Sequence, residues 1–520
     1  MNRRHFLQQA SASMLLPVFI DGFGAKAFGA PNSAFMQTLV QLATTTDRVL
    51  VMIQLNGGND GLNMVVPLDQ MSKYTALRTN IALPEAKVLK LTNNPATGLH
   101  PSMTGLQSLY NDGKLSIVHS VAYPSPSFSH FRASDIWFTG ADNGQLLTTG
   151  WAGRYLDSEW PGYPTGYPTK DVPDPLAIQI GYISSTAFAG PGGPMAVAIP
   201  NPDTFAQLVG DKQTIDLAPP PNTPAGRHIT YIRQQQLSSV QYAAQIKTAA
   251  AKGKNLVTYP SSSLADQLKI VSRLIHGGLQ TRVYYVTIGG FDTHANQTSA
   301  TDTTTGTHAN LMKQLSDAVK SFQDDLRVQG TEDRVAGMTF SEFGRRAVSN
   351  ASLGTDHGVA APLFVFGKGV KTTVIGKNPN LSDLDANNIK MQTDFRQVYA
   401  ALLTDWLGAS TTGVTSILQK NFDVVPVFRT LITATEPLAA PFRLFPNPAS
   451  DTVTLEGEAL GAGVSNVAIH DAGGKVMAVP ISRLSDRAFR LSVSALAAGT
   501  YVVSAQAGEQ RVSVRMLVVR

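Results

Sequence analysis

Hydrophobic positions along this 520-residue chain follow two rhythms. Short apolar runs at 49–53, 283–288 and 335–340 are rich in β-branched and aromatic residues, and each leads into glycines and acids. Runs of this length and composition predict buried strands, and further candidates lie at 115–118, 176–180 and 360–366. The second rhythm is helical. Leu311, Met312, Leu315, Val319, Phe322 and Leu326 recur at the spacing of one helix face. Long helices are predicted over 229–251 and 263–275, and a shorter one over 106–110. Another begins near Ser129, with Phe131, Ile136 and Trp137 as its apolar face. This alternation predicts an α/β domain over 48–430, a mostly parallel sheet flanked by helices.

Two stretches break the pattern. Residues 150–225 are rich in proline and glycine, including Pro219, Pro220 and Pro221, and read as a loop-rich insertion that walls a pocket and sets specificity. Residues 431–441 have linker composition, and beyond them short alternating runs at 452–455, 466–469, 489–493, 500–505 and 511–519 predict a small all-β sandwich over 442–520.

Composition narrows the chemistry. With 43% hydrophobic residues the chain is globular. With no cysteine, disulfides, thiolate metal sites and cysteine nucleophiles are all excluded. Any metal must rest on His, Asp, Glu or neutral oxygen. Of the net charge of +5, two units fall in residues 1–27 and two in 441–520, leaving the central body near +1. That excludes a general electrostatic footprint for nucleic acid or membrane. No segment has the ~20 apolar residues of a membrane span.

Four polar clusters sit at the ends of apolar runs: GGNDGLN at 57–63, GGFDTH at 289–294, SEFGRR at 341–346 and GTDHG at 354–358. Carboxylates and histidines delivered to one sheet edge are how open α/β folds build sites. Asp60 follows Gly57, Gly58 and Asn59, which turn the chain sharply, though the same residues also make an ordinary turn. Asp292 and His294, two apart in extended backbone, point the same way and can converge on one ion. Glu342 closes a buried strand and needs a metal, Arg345 or Arg346 to neutralise it. His357 suits zinc, manganese or iron as a neutral ligand, with Asp356 as co-ligand or orienter. Ser129 stands where a helix begins, the place of an N-cap or of a nucleophile toward a phosphoryl centre. His130 beside it is a general base or a ligand. The inventory fits one or two divalent ions.

These residues carry several resemblances. Arg3, Arg4, His5, Phe6 and Leu7, the apolar stretch 10–20 and the small-residue exits near Ala27 and Ala30 resemble a twin-arginine export signal over 1–30. The Phe445, Pro446, Asn447, Pro448 entry and the later Gly499, Thr500, Tyr501 resemble a type IX secretion sorting domain. Between them, the four clusters with Leu99, His100, Pro101 and Ser129, His130, Phe131 resemble the family called domain of unknown function 1501. That family is in turn similar to the alkaline phosphatase superfamily of phosphatases, sulfatases and phosphomutases.

The resemblance implies an alkaline-phosphatase-like α/β fold. It implies Asp60 as a metal ligand on the first strand, Ser129 as the nucleophile, and Asp292, Glu342 and His357 as later metal ligands. Asn296 stands where the superfamily has a histidine, and Glu342 with Phe343 replaces an Asp-His doublet. Fewer imidazoles leave zinc, manganese, magnesium and calcium all open. The expectation is an exported metal-dependent hydrolase of phosphate or related esters, met by the twin-arginine translocase and then the type IX machinery. It would pass through the periplasm to the cell surface or medium, toward a small ester or surface-glycan substrate. The alternative is a non-catalytic surface binding protein with at most a structural ion.

Overall fold

The computed structural model describes residues 47–209, 221, 223–429, 443–457, 464–471, 475–485, 487–507 and 510–519. The expected export signal and linker lie outside the described residues. The chain divides into two compact units, whose described parts are 47–429 and 443–519.

The first unit is built on strand β1 (Val49–Leu55), whose seven residues are all buried. A strand covered on both faces reads as a continuous apolar run, as parallel strands under helices do. The sheet it anchors also contains β2 (Leu115–Ala122), β3 (Ala177–Ile180), β4 (Ala196–Ile199), β5 (Val283–Ile288) and β6 (Val335–Phe340). A two-stranded ribbon follows, β7 (Gly344–Ser349) with β8 (Thr355–Gly358), and then β9 (Ala361–Gly367), β10 (Val374–Ile375) and β11 (Thr393–Asp394) return to the sheet. Its order is β10-β2-β9-β6-β1-β5-β3-β4, with β11 also pairing β2. Only β9 runs against the others. The expected mostly parallel sheet is therefore present. Helices α1 (His130–Thr139), α2 (Ser263–His276) and α3 (Thr307–Val328) bury apolar stripes against one continuous core.

Two expectations change. The stretch 150–225, expected to be loop-rich, supplies the helix Trp151–Glu159 and, besides the expected strand at 176–180 (β3), the edge strand β4. β4, four residues long, is too short to stand out from the surrounding prolines and glycines. GTDHG is expected as a strand-end cluster just ahead of the strand candidate at 360–366. Thr355–Gly358 instead pairs with β7, Arg345 opposite His357, so ribbon geometry places that histidine.

In the second unit, two four-stranded antiparallel sheets share one core of Val453, Leu455, Ile469, Leu491, Val503 and Met516 among others. No helix among the described residues is long and apolar enough to cross a membrane.

The loops after β1 and β5 meet at Gly57. Its φ is +127°, and a Cβ there would stand 2.3 Å from the amide nitrogen of Asp292. Gly57→Ala is therefore expected to cost about 3 kcal/mol in equilibrium denaturation, since backbone must move and the conformation is strained. Gly289→Ala, where an added Cβ meets nothing within 4 Å, should stay within about 0.5 kcal/mol.

Candidate functional site

Because β1, β5 and β6 are parallel neighbours, the segments that follow them leave one edge of the sheet together. The β1 turn brings the Gly57 amide, the β5 loop brings Asp292 and His294, and Glu342 lies just past β6. The ribbon brings Arg345 and His357, and α1 brings His130 at its first position.

Three imidazoles converge on one carboxylate. Nε2 of His294 lies 3.1 Å and Nε2 of His357 3.3 Å from Asp292 Oδ1, and Nε2 of His130 lies 3.6 Å from Asp292 Oδ2. His130, Asp292 and His357 offer ligand atoms all within 4.8 Å of one another. Each ring is held from behind by an oxygen. His130 Nδ1 is 2.8 Å from Glu342 Oε1, which also accepts the Gly57 N–H at 2.9 Å. His294 Nδ1 is 3.4 Å from Asp356 Oδ1, and His357 Nδ1 is 2.9 Å from the Phe128 carbonyl. A carbonyl oxygen carries no proton, so Nδ1 of His357 donates and its Nε2 presents a lone pair. His294, donating likewise to Asp356, turns a second lone pair onto it, with the two Nε2 atoms 2.9 Å apart. Two facing lone pairs repel unless a proton or a cation lies between them.

The surrounding charges set the ionisation. Burial alone would raise the Asp292 carboxyl, but the hydrogen bond from Arg345 and the Arg345 charge bring its pKa below the ordinary carboxylate value. Burial works against Asp356 too, and hydrogen bonds from Asn350 and His294 lower it. Burial depresses His357, keeping its ring neutral as a ligand requires. Arg345, fully buried, pairs with Asp292 Oδ1 at 2.7 Å rather than with Glu342. Glu342 is instead met by the Gly57 amide, His130 and, at 3.3 Å, the Ser341 hydroxyl.

Asp60 is not brought into this group. Its Oδ2 is taken by Arg78 Nη1 and Gln297 Nε2, each at 2.5 Å, and its Oδ1 is buried without a hydrogen bond. Arg78 also binds the carbonyls of Ala347 and Arg346, so Asp60 belongs to a structural network. Ser129 is the N-cap of α1 and exposed, and its hydroxyl makes no capping bond. His100 of the Leu99-His100-Pro101 motif is buried, which pushes it down to about 3. His308, absent from the sequence reading, is pushed down to about 4 by burial and bonds Asn59 at 3.1 Å. Its place in the first turn of an amphipathic helix hid it among core positions.

The site is open, with the Asp292 side chain 50% exposed. A cavity of about 10 Å³ lined by His119 and Ser120, and a groove of about 400 Å³ lined by Pro168, Gln241 and Thr248, include none of its residues.

Residues 233–412 match the family model described as Protein of unknown function (DUF1501). That segment holds three of the four polar clusters but neither GGNDGLN nor Ser129 and His130. Residues 443–520 match the Secretion system C-terminal sorting domain. No curated protein sequence matches the chain. Among solved structures, the PsFucS1 sulfatase from Pseudoalteromonas sp. is similar at 11% identity over 90% of this chain and 87% of that one, with a TM-score of 0.33. A protein in the alkaline phosphatase superfamily from Vibrio parahaemolyticus is similar at 10% identity, covering 93% and 90%, with a TM-score of 0.31. CopC from Methylosinus trichosporium OB3b is 22% identical over 14% of this chain and 76% of its own, with a TM-score of 0.11. The sorting domain indicates export by the type IX machinery to the cell surface or the extracellular space.

The buried Asp60–Arg78 pair makes a prediction with a definite sign. Although burial alone would raise it, Arg78 and Gln297 hold the Asp60 pKa below its ordinary 3.8. The stability this group contributes is present above 3.8 and lost as pH falls through the lowered value. In Arg78→Met the same buried carboxylate keeps the Gln297 hydrogen bond but loses its neutralising charge, so its pKa rises. The variant should lose about 3–5 kcal/mol at pH 7, a deficit that narrows toward pH 4 in melting curves. A deficit independent of pH would show that Asp60 is not the charge Arg78 neutralises.

Proposed function

We propose that the chain is an exported, metal-dependent hydrolase of phosphate or related esters, with Asp292, His294, His357 and His130 holding a divalent ion. What carries this reading is the pair of Nε2 atoms 2.9 Å apart, each with its Nδ1 facing an oxygen. Ligand atoms about 2.1 Å from a shared ion lie no more than about 4.2 Å apart; the 2.9, 3.1 and 3.3 Å contacts among His294, His357 and Asp292 and the 3.6 Å contact of His130 with Asp292 fall within that, and His130, Asp292 and His357 lie mutually within 4.8 Å. Three imidazoles with one carboxylate suit zinc or manganese better than magnesium or calcium. Such an ion supplies Lewis acidity, lowering the pKa of a bound water or hydroxyl and polarising the ester.

The residues around it divide the remaining work. Glu342, Asp356 and the Phe128 carbonyl fix the tautomer and tilt of the three rings, and ligands so oriented bind more tightly than free ones. Arg345 fixes the Asp292 carboxylate. Ser129, one residue before His130 and exposed at the helix N-terminus, is the candidate nucleophile. Its hydroxyl is free of the usual cap bond, and the N-terminal amides of α1 favour an anion there. The export route in this reading begins with the twin-arginine translocase, which carries folded cargo, and ends with the sorting domain.

Elemental analysis of the purified full chain should find metal near one equivalent. Asp292→Ala and His357→Ala should abolish it, and Asp60→Asn should leave it unchanged. Glu342→Gln is expected to weaken metal affinity about 10–100-fold. Ser129→Ala should keep the metal and lose ester hydrolysis; hydrolysis left intact would remove Ser129 as the nucleophile. A folded protein without metal would overturn the reading.

A further inference from the structure

The four most exposed large hydrophobic side chains among the described residues are Phe131 at 91%, Tyr182 at 86%, Leu146 at 82% and Ile183 at 80%. They come from three segments, which the fold ties to α1 or sends out from the sheet edge that carries the histidine cluster. Phe131 directly follows His130 in the first turn of α1. Leu146 is drawn to that turn because Arg132 Nη2 donates to the carbonyls of Asp142, Asn143 and Gln145 at 3.2, 2.7 and 2.6 Å. Tyr182 and Ile183 follow β3, which lies beside β5 and parallel to it. Their loop thus leaves the same sheet edge as the one carrying Asp292 and His294. It ends in the turn Thr186–Phe188, which packs on α1. The Gly150 amide then bonds the Ala189 carbonyl at 2.8 Å, tying the two loops together.

Large apolar side chains left in water on segments at one edge of a sheet, beside an open site, mark a binding face rather than chance exposure. Here the face adjoins an open polar centre, so its occupant carries a charged head joined to an apolar body. Two of the four are aliphatic and give no ring face for a sugar to stack on, whereas an alkyl chain packs equally well on Leu, Ile, Phe and Tyr. We infer that Phe131, Leu146, Tyr182 and Ile183 seat the alkyl chain of an amphiphilic ester whose head group lies at the histidine cluster. The head-group half rests on the hydrolase reading above, while the chain seat stands on the apolar residues alone.

Each methylene laid on such a surface should tighten binding about threefold. Titration calorimetry of the metal-loaded full chain with butyl phosphate and dodecyl phosphate, both kept monomeric, tests this. Even if only about two of its extra methylenes are seated, dodecyl phosphate should bind at least about tenfold more tightly. Phe131→Ser with Ile183→Ser should erase that preference, and Leu146→Ser with Tyr182→Ser should do the same. Neither pair should change metal content or affinity for butyl phosphate. Equal affinities in the wild type, or a preference untouched by both pairs, would overturn the seat. So would a preference seen only with dodecyl phosphate in phosphatidylcholine vesicles, which would assign the surface to a lipid bilayer. A preference kept by metal-free protein and lost in the variants would uphold the seat while counting against the metal.

Discussion

The guanidinium of Arg345 joins the turns on which the candidate site is built. It is buried, and a buried charge is tolerated only when its hydrogen bonds are met. Nε donates to the Gly58 carbonyl at 2.6 Å and Nη1 to Thr355 at 2.8 Å. Nη2 reaches the Gly57 carbonyl at 2.5 Å, Phe291 at 3.2 Å and the Asp292 carboxylate at 2.7 Å. One planar group thereby fastens the turn after β1, the loop after β5 and the ribbon strand that carries His357. Lysine could not replace it, since a single ammonium cannot address acceptors on several sides of a plane. Glycine at 57 is the complement of this arrangement: the two loops approach too closely for any side chain.

Beneath the histidines lies a second polar layer, and Gln297 joins the two. Its Oε1 accepts from the hydroxyls of Thr293 and Thr355 at 3.0 and 2.9 Å, while its Nε2 donates to Asp60. Thr293 separates Asp292 from His294, and Thr355 precedes Asp356 and His357. Asp60 is thus coupled to the site through backbone neighbours of its residues, without touching them. Arg78 secures that layer to the ribbon through the Ala347 and Arg346 carbonyls, so the lower network supports the positions of the upper one.

Much of this fold was legible in the sequence because its strands are buried on both faces and therefore read as uninterrupted apolar runs. The helices followed from their period, although Phe131 lies in water rather than on the buried face of α1, and Ser129 occupies the N-cap position without making a cap bond. The strand-end clusters were legible as candidates for the same reason, since each follows a run that can be recognised. What could not be read were pairings set by tertiary structure. Nothing in the residues around Arg78 or Gln297 marks them as partners of Asp60, which lies 18 and 237 positions away. The same holds for Glu342. Either neighbouring arginine could have neutralised it, but β7 pairs Arg345 opposite His357 and directs its guanidinium to Asp292. The edge strand β4 was obscured by its shortness.

The charge around the histidines points the same way as their geometry. Asp292, Glu342 and Asp356 bring three formal negative charges to a small volume, and Arg345 is the buried cation bonded to one of them. With neutral rings the balance is near minus two. Protonating one imidazole would remove the clash of lone pairs between His294 and His357 but would leave a net negative site, held by ordered side chains whose other nitrogens are already committed. In the proposed reading a single divalent cation would satisfy both demands at once, taking up the converging lone pairs and cancelling the charge. The oxygen behind each ring is then explained as well, because imidazoles that only needed a proton would not require all three rings to be turned toward the same carboxylate.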